Sequence, residues 1–258
     1  MKITGSIITL NEEEHIKECI LSLQKVCDEI IVVDSNSSDH TVEIAKELGA
    51  KVVMQSYLGD GFQKNVVLEY ASYDWILSLD ADERLSEEMV AEIQTIDLEN
   101  TKYESFGFSR KNYVGNRWIK YCGWYPDVCT RLFNGKKTKW WEVKLHSYVL
   151  TKNTQVLKGD IIHYSFRNLS ELFAKPDRNY SAYGAKILFD KHKKVSAFSP
   201  AMHLIMAFIR RYILRLGFLN GVDGLTVSIS SALNSYLKYA KLLEMYRDPK
   251  AADREKKM

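Results

Sequence analysis

The chain has 258 residues, a formal net charge of +3 and 46% hydrophobic residues. This length and hydrophobic content suffice for one large domain, or for one domain with an appendage, and they exclude a disordered chain. The four cysteines form no Cys-x-x-Cys pair, so we expect reduced thiols rather than a disulfide-stapled scaffold.

The charges are unevenly distributed along the chain. Residues 1–100 have 7 Lys and Arg against 21 Asp and Glu, a net charge of −14, and the remainder has 29 against 12, a net charge of +17. An acidic first half argues against a nucleic acid partner, whereas a basic second half suits phosphates, an anionic glycan or anionic lipid headgroups. An ordinary solvated surface with uneven charge is the alternative.

The N-terminal apolar run, residues 3–10, is too short for a signal peptide and leads directly into Asn11-Glu12-Glu13-Glu14. We therefore expect a cytoplasmic protein.

The first hundred residues alternate β-rich apolar runs with segments of helical period, which predicts parallel strands joined by crossover helices in an α/β domain. The predicted strands cover about residues 2–10, 29–34, 51–54 and 75–80, and the predicted helices about 12–25, 39–48, 62–73 and 86–96. Ligands bind such sheets at the carboxyl ends of the strands, so the residues after each strand form the candidate site.

The residues at these strand ends are polar or acidic. They include Asn11-Glu12-Glu13 after the first strand, Asp34 to Asp39 after the second and Asp80-Ala81-Asp82 after the fourth. The absence of G-x-G-x-x-G after the first strand excludes a nicotinamide or flavin Rossmann enzyme, and the absence of G-x-x-x-x-G-K-[ST] excludes a P-loop NTPase.

The segment Asp80-Ala81-Asp82-Glu83 ends an apolar strand in three carboxylates. Carboxylate oxygens are ligands for Mg²⁺ or Mn²⁺, and Mg²⁺ held by one or two carboxylates usually takes its other ligands from water and substrate phosphates. The segment therefore indicates a divalent metal and a phosphorylated substrate, with Glu83 outside the site. The alternative is the acidic first turn of a helix that begins near Ser86.

Aromatic residues are frequent after residue 104, in short strand-like pieces. Flat rings stack on sugar faces, so these aromatics form either an acceptor platform or part of the core. Trp124 and Trp141 stand beside polar, turn-like sequence and are the ones expected to be exposed.

Four motifs resemble those of a known family. They are Leu10-Asn11-Glu12-Glu13, the segment from Val33 to Thr41, the segment from Gly61 to Asn65, and Asp80-Ala81-Asp82. In order and spacing the chain resembles the inverting glycosyltransferases of family 2, which have the nucleotide-diphospho-sugar transferase (GT-A) fold, a mostly parallel sheet flanked by helices.

The continuation resembles a narrower group, the bacterial lipopolysaccharide inner-core glucosyltransferases. The matching stretches are Gly123 to Asn134, Gly159 to Ser165, and Arg211 to Leu214 with Gly217 to Gly221. One departure is that Ser147 stands where these relatives often have a Glu after a His, which leaves any role of that pair open.

The resemblance implies roles for residues of this chain. Asp82 would ligate the metal together with Asp80 and His163. Trp124, Tyr125 and Trp141 would bind the acceptor. The implied donor-binding residues are Asn11, Glu12, Asp34, Lys64, Asn65, Asp80, Arg131, Lys175 and Arg178. The alternatives to a donor-binding role are a helix N-terminal cap for Asp34 and a surface position for Lys64.

Asp127 is the predicted catalytic base, because a carboxylate four residues before an arginine resembles the acidic motif of the family. An aspartate with an ordinary pKa of about 3.9 is a weak base at neutral pH and needs burial or a neighbouring carboxylate. A structural ion pair between Asp127 and Arg131 is the alternative, and Glu142 and His146 are the reserve candidates.

Residues 200–219 are strongly apolar but contain Arg210, Arg211 and Arg215. Central arginines are costly in a spanning helix, so this segment predicts a helix in the membrane interface, followed by a second amphipathic helix over 225–247 and a charged end. Packing on the catalytic domain or on a dimer partner is the alternative.

These observations predict a catalytic domain over 1–195, with a nucleotide-binding half to residue 100 and an acceptor-binding half after it, and a helical extension over 196–258 that associates with a membrane or oligomerises. The expected activity is metal-dependent transfer of a hexose, with glucose as the expected sugar, from a UDP donor to a lipopolysaccharide core or related lipid-linked glycan at the inner face of the cytoplasmic membrane. The alternatives are a nucleotidyltransferase that makes a sugar nucleotide, and a noncatalytic glycan-binding protein.

Overall fold

The computed structural model describes residues 2–144, 146–175 and 181–248, with Lys175 described by its backbone alone. The strands are β1 Ile3–Thr9, β2 Glu29–Asp34, β3 Lys51–Met54, β4 Trp75–Asp80, β5 Glu83–Leu85, β6 Ser105–Val114, β7 Arg117–Trp118, β8 Val128–Asn134 and β9 Thr154–Phe166. The helices are α1 Ile16–Leu23, α2 Thr41–Glu47, α3 Asp60–Asn65, α4 Glu87–Thr95, α5 Leu169–Lys175, α6 Ala182–Asp190, α7 Ser199–Ile209 and α8 Gly221–Arg247.

The chain forms two compact units. The first unit contains Met1–Lys111 and Pro126–His163, and the second contains Asn112–Tyr125 and Tyr164–Met258. Residues 164–195 thus group with the C-terminal helices, whereas the predicted boundary is at residue 195. The reason lies in packing, because Ala185 of α6 is buried in one cluster with Leu242 and Met245 of α8.

The first unit is built on a mixed sheet in the order β3-β2-β1-β4-β8-β6-β9-β5. The first four strands of this order are parallel, and β8 joins them antiparallel to β4. Both faces of β1, β2 and β4 are covered, which is why these strands are almost continuous apolar runs rather than alternating ones. The four predicted strands are confirmed.

One predicted helix of the first unit is wrong, and one short strand was not predicted. The helix expected over 62–73 is the short α3, followed by a 3₁₀ turn at Val66–Glu69; the β-branched pair Val66-Val67 has low helix propensity. Residues 83–85 form a strand, because Glu83 to Leu85 pair antiparallel with Ile161 to His163 of β9.

The second unit packs α5 and α6 against the long helix α8, which also contacts α7. Gly224 allows a close approach within this unit, since a Cβ there would lie 1.8 Å from the carbonyl oxygen of Gly217. Residues 200–219 are not one helix: α7 ends at Ile209, a π-helical turn covers Arg210–Leu214, and Leu216 turns the chain with a left-handed φ of 54°. The predicted second helix begins earlier, at Gly221, and residues 249–258 lie outside the described residues. No described helix combines the length and the apolar character needed to cross a membrane.

Candidate active site

The candidate site lies in the first unit, where three parallel strands end side by side. The register pairs Thr9 of β1 with Asp34 of β2, and Ile8 of β1 with Asp80 of β4. The sequence prediction that the loops after these strands meet at one edge of the sheet is therefore confirmed. The chemistry of this edge is acidic, with Asp34 and Asp80 one strand apart from each other.

The loops after β1 and β2 are bonded to each other. The backbone N–H of Asn11 donates to Ser37 Oγ at 2.8 Å, and Asn11 Oδ1 accepts from the N–H of Ser38 at 2.8 Å. Asn11 has a left-handed φ of 54°, a conformation that asparagine tolerates better than most residues. The backbone N–H of Glu12 donates to Thr41 Oγ1 at 2.8 Å. These bonds hold both loops in one arrangement at the strand ends.

Asp34 is fully buried and accepts from the N–H and Oγ of Ser37 at 2.7 and 2.6 Å. It therefore caps the turn after β2 rather than helix α2, whose N-terminal cap position is occupied by His40. The helix-cap alternative for Asp34 is wrong, and a place beside a nucleobase or ribose stays a prediction.

Lys64 is buried, not a surface lysine. Its ammonium lies 3.0 Å from Asp60 Oδ1 and 3.0 Å from Asp80 Oδ1, and 4.6 Å from the centre of the Trp140 ring. Burial alone would raise the pKa of Asp60, but Lys64 and Ser147 hold it below its ordinary value. Lys64 thus orients Asp80 in this structure.

Asn65 and Ser147 fasten the loop around Trp140. Asn65 donates from its amide to the carbonyl of Trp140 at 3.0 Å and accepts from the N–H of Trp140 at 2.9 Å. Ser147, the position where relatives often have Glu, donates from its N–H and Oγ to Asp60 at 2.8 and 2.7 Å. Among the reserve bases, Glu142 pairs with Lys139 at 2.6 Å and His146 has a left-handed φ of 58°.

Asp80 has a cation at each carboxylate oxygen. Oδ1 faces Lys64 at 3.0 Å and Oδ2 faces Arg131 Nη2 at 2.8 Å. Burial alone would raise the pKa of Asp80, but Lys64 and Arg131 hold it well below the ordinary range. Arg131 is only 3% exposed, and its guanidinium contacts carboxylates. In this structure it therefore binds Asp80 and does not face the open surface of the site.

Asp82 and His163 lie together next to Asp80. Their atoms Oδ2 and Nε2 are 3.4 Å apart, because Glu83 and His163 are register partners in the β5–β9 pair. Burial alone would lower the pKa of His163, but its bond to Asp82 raises it. The carboxylate of Asp82 is a ligand type that Mg²⁺ and Mn²⁺ prefer, whereas the imidazole of His163 is a softer ligand that favours transition metals.

Among the described residues, no group of three or more His, Cys, Asp or Glu side chains is arranged to hold a metal ion. Asp82 and His163 are the two side chains that would hold a divalent cation, and diphosphate oxygens and water would supply its other ligands. Asp80 is already engaged by two cations, so the fit is better for Asp82 and His163 than for all three predicted ligands.

Glu83, expected outside the site, lies directly beneath it. Its carboxylate is completely buried and meets Arg131 Nη2 at 2.5 Å and Arg110 Nη1 at 3.4 Å through Oε1. Its Oε2 accepts from the backbone N–H of Asp80 at 3.0 Å. Burial would lower the pKa of Arg131, but Glu83 and Asp80 raise it well above its ordinary value. Glu83 thus links the backbone of Asp80 with two arginines.

Asp127 pairs with Arg110, at 2.7 Å to Nη2 and 3.0 Å to Nε. The alternative of an ion pair between Asp127 and Arg131 is therefore wrong. Arg131 lies on strand β8, where its side chain meets Asp80 and Glu83, whereas Asp127 precedes this strand. Both nitrogens of Arg110 contact the same oxygen of Asp127, Oδ2. The Asp127 side chain is 38% exposed, so a substrate hydroxyl has access to it.

Sequence reasoning missed Arg110, although a signal for it exists. Positions 106, 108 and 110 share one face of β6, and the first two are buried phenylalanines. An arginine on a buried face requires a partner, and the structure supplies Glu83 and Asp127. The partners themselves are distant in sequence and carry no local signal.

The predicted aromatic residues divide between the units. Trp141, in the first unit, is 45% exposed and lies beside Tyr148 with ring centres 5.2 Å apart. Trp124, in the second unit, is half-buried against Phe166 at 5.9 Å, so the expectation that Trp124 is exposed is wrong. Tyr125 makes an edge contact with Trp118 at 5.4 Å.

Two predicted donor contacts remain outside this description. Arg178 lies outside the described residues, and only the backbone of Lys175, at the end of α5, is described.

An α/β sheet with carboxylates at the ends of its parallel strands has its ligand site at that edge, as expected for the nucleotide-diphospho-sugar transferase (GT-A) class predicted from the sequence. The model of glycosyl transferase family 2 matches residues 6–165, and the chain belongs to this family. The family prediction and the fold class are thereby confirmed.

The chain is similar to several known proteins. An uncharacterized glycosyltransferase of Rickettsia typhi is 35% identical, covering 95% of this chain and 87% of its own. The lipopolysaccharide core biosynthesis glycosyltransferase LpsC of Rhizobium meliloti is 24% identical, covering 95% and 93%. Among solved structures, S. aureus TarS in complex with UDP is 17% identical and covers 96% and 92%, with a TM-score of 0.47.

Proposed function

We propose that this glycosyltransferase transfers a hexose, glucose in the first instance, from UDP-glucose to a lipopolysaccharide core or related lipid-linked glycan, with inversion at the transferred carbon. The observation that carries the proposal is the arrangement at one edge of the sheet, where Asp82 and His163 stand 3.4 Å apart next to Asp80. The relative LpsC, named for lipopolysaccharide core biosynthesis, supports the acceptor class.

In the proposed reaction the acceptor oxygen bonds to the anomeric carbon while the bond from that carbon to the diphosphate oxygen breaks. The proton of the acceptor hydroxyl passes to the carboxylate of Asp127, and UDP leaves with the electron pair. Attack on the face opposite the leaving group inverts the configuration. Arg110 holds the Asp127 carboxylate in place, with Nη2 2.7 Å from Oδ2.

On the donor side, we assign Asp34 to the nucleobase or ribose, and Asp82 with His163 to a divalent cation. When bound, Mg²⁺ or Mn²⁺ would neutralise the charge that develops on the diphosphate. Asp80, held by Lys64 and Arg131, orients the turn that carries Asp82. The loop after β1 is acidic and has no glycines, which disfavours the nucleotidyltransferase alternative because that chemistry would need a basic, Gly-rich loop there.

The test is UDP release from UDP-glucose with extracted core glycolipid, with and without Mn²⁺. We expect Asp82→Asn and Asp127→Asn each to reduce kcat by at least about 100-fold, and Asp82→Asn also to abolish the response to Mn²⁺. Asp97→Asn, an exposed aspartate after α4, is the matched control and retains activity. Full activity of Asp82→Asn in the presence of a chelator would refute the metal-dependent mechanism, and pyrophosphate release from a nucleoside triphosphate would favour the nucleotidyltransferase.

A further inference from the structure

Helix α7 and the turn after it expose a continuous row of large apolar side chains in the second unit. We call this row the docking face and define it as Met202, Ile205, Met206, Ile209, Ile213 and Leu214, which are 40 to 71% exposed. The row continues through Leu219 and Val222, which are 54 and 78% exposed. Exposed apolar patches of this kind are rare on soluble monomers and mark interaction sites.

The spacing explains why these side chains share one side. Relative to position 202, positions 205, 206, 209 and 213 are 3, 4, 7 and 11 residues further on, which is one stripe of a helix. The other side of α7 packs within the second unit, where the ring of His203 stacks on Tyr239 with centres 3.6 Å apart. The docking face is thus the outer side of a helix whose inner side is already occupied.

The charged residues along the docking face are basic, and the flanking acidic residues Asp190 and Asp223 are paired with Lys186 and Arg117. From Lys191 to Val222 the chain has six Lys and Arg and neither Asp nor Glu. Arg210 and Arg215 are exposed, whereas Arg211 turns inward and donates to the carbonyl of Cys122 at 2.6 Å. The three arginines therefore differ in role. Arg211 stabilises the turn, whereas Arg210 and Arg215 are exposed at the margin of the apolar row.

This combination selects among possible occupants. In a two-fold dimer through this face, the basic margin of one copy would meet the equally basic margin of the other, which costs free energy. An anionic bilayer surface offers apolar chains to the row and negative headgroups to Arg210 and Arg215. Interfacial helices have this composition, an apolar face flanked by Lys and Arg.

We propose that the docking face binds the surface of an anionic lipid bilayer, with the apolar row in the interface and Arg210 and Arg215 at the headgroups. The binding is interfacial, because the arginines are positioned to reach the headgroups along one side of the helix. The proposal goes beyond the transfer reaction and depends on the second unit alone.

The experiment is sedimentation of the full chain with vesicles of phosphatidylcholine alone or with about 30% phosphatidylglycerol, in the absence of any nucleotide sugar. We expect binding to the mixed vesicles that weakens with added salt, and little binding to phosphatidylcholine alone. Met206→Glu with Leu214→Glu, and separately Arg210→Glu with Arg215→Glu, should each weaken binding by at least about tenfold.

Matched controls are Val156→Glu, a 56% exposed apolar residue of β9, and Lys152→Glu, an exposed charge in a loop. Both should bind like the unmodified chain. Circular dichroism checks that each variant is folded. If a double variant misfolds, hydrogen exchange on the unmodified chain takes the place of that variant. The expected result is slower exchange in α7 when anionic vesicles are added.

The proposal is overturned if the unmodified chain does not bind anionic vesicles, if binding is unaffected by the docking-face variants, or if exchange in α7 is unchanged. It is also overturned if light scattering finds a dimer that Met206→Glu with Leu214→Glu dissociates while vesicle binding is absent. Because no donor sugar is present, none of these outcomes depends on whether the proposed transfer reaction is correct.

Discussion

Replacement of Glu83 by Gln tests the buried charge network beneath the candidate site. The Glu83 carboxylate is completely buried, with Arg131 Nη2 at 2.5 Å, Arg110 Nη1 at 3.4 Å and the N–H of Asp80 donating at 3.0 Å. All three neighbours are donors. A glutamine has one acceptor oxygen and one NH₂ group, so whichever way its amide turns, the NH₂ faces a donor.

The expected cost follows from these contacts. Removal of one partner from a buried ion pair costs about 3 to 5 kcal/mol, and loss of an acceptor by a buried N–H costs about 1 to 3 kcal/mol. The two free-energy costs overlap, because the same substitution causes both. They are also reduced, because glutamine has the same shape as glutamate and keeps one acceptor oxygen. We expect a loss of about 3 kcal/mol in the free energy of unfolding.

The measurement is urea unfolding followed by tryptophan fluorescence and far-UV circular dichroism. With a slope of about 3 kcal/mol per molar urea, the midpoint should fall by about 1 M. The matched control is Glu87→Gln, which removes a surface ion pair with Lys25 whose side chains are 46 and 79% exposed; this change should cost less than about 1 kcal/mol. If Glu83→Gln is no more destabilising than Glu87→Gln, the reasoning about Glu83 is refuted.

Two further predictions concern the scaffold of the first unit. Gly61→Ala places a Cβ 1.8 Å from the carbonyl oxygen of Trp141, so we expect the free energy of unfolding to fall by about 1 to 3 kcal/mol. The control is Gly107→Ala, whose Cβ would have its nearest neighbour at 3.5 Å and which should unfold like the unmodified chain. Equal stability of the two variants would contradict this prediction. Burial alone would raise the pKa of Glu29, but bonds from Thr4 and Ser72 hold it below 4.5; its stabilisation is therefore present above the unfolded-state pKa and is lost as the pH falls through the folded-state pKa. The difference in urea midpoint between the unmodified chain and Glu29→Gln should accordingly shrink from pH 7 to about pH 3, and a constant difference would show that the charge of Glu29 is irrelevant.

Much of the fold could be predicted from local sequence. The strands that became β1 to β4 are apolar β-rich runs, and the helical segments between them predict that these strands are parallel. The position of Asp34 and Asp80 at one edge follows from the same pattern, because the carboxyl ends of parallel strands coincide. These features depend on short-range periodicity, which the sequence displays directly.

The extent of irregular elements could not be predicted in this way. The segment after α3 became a 3₁₀ turn, and the segment after α7 a π-helical turn ended by the left-handed Leu216. Both lie where tertiary packing competes with a helical pattern.

The partners of the buried charges were decided by the tertiary structure alone. Arg131 follows Asp127 by four residues, yet Arg131 binds Asp80 and Glu83 while Asp127 binds Arg110. The antiparallel placement of β8 beside β4 and β6 brings these groups together from distant parts of the chain. A sequence shows which residues carry charge, but ion pairs act over a few ångströms, and only the folded chain determines which charges come within that distance.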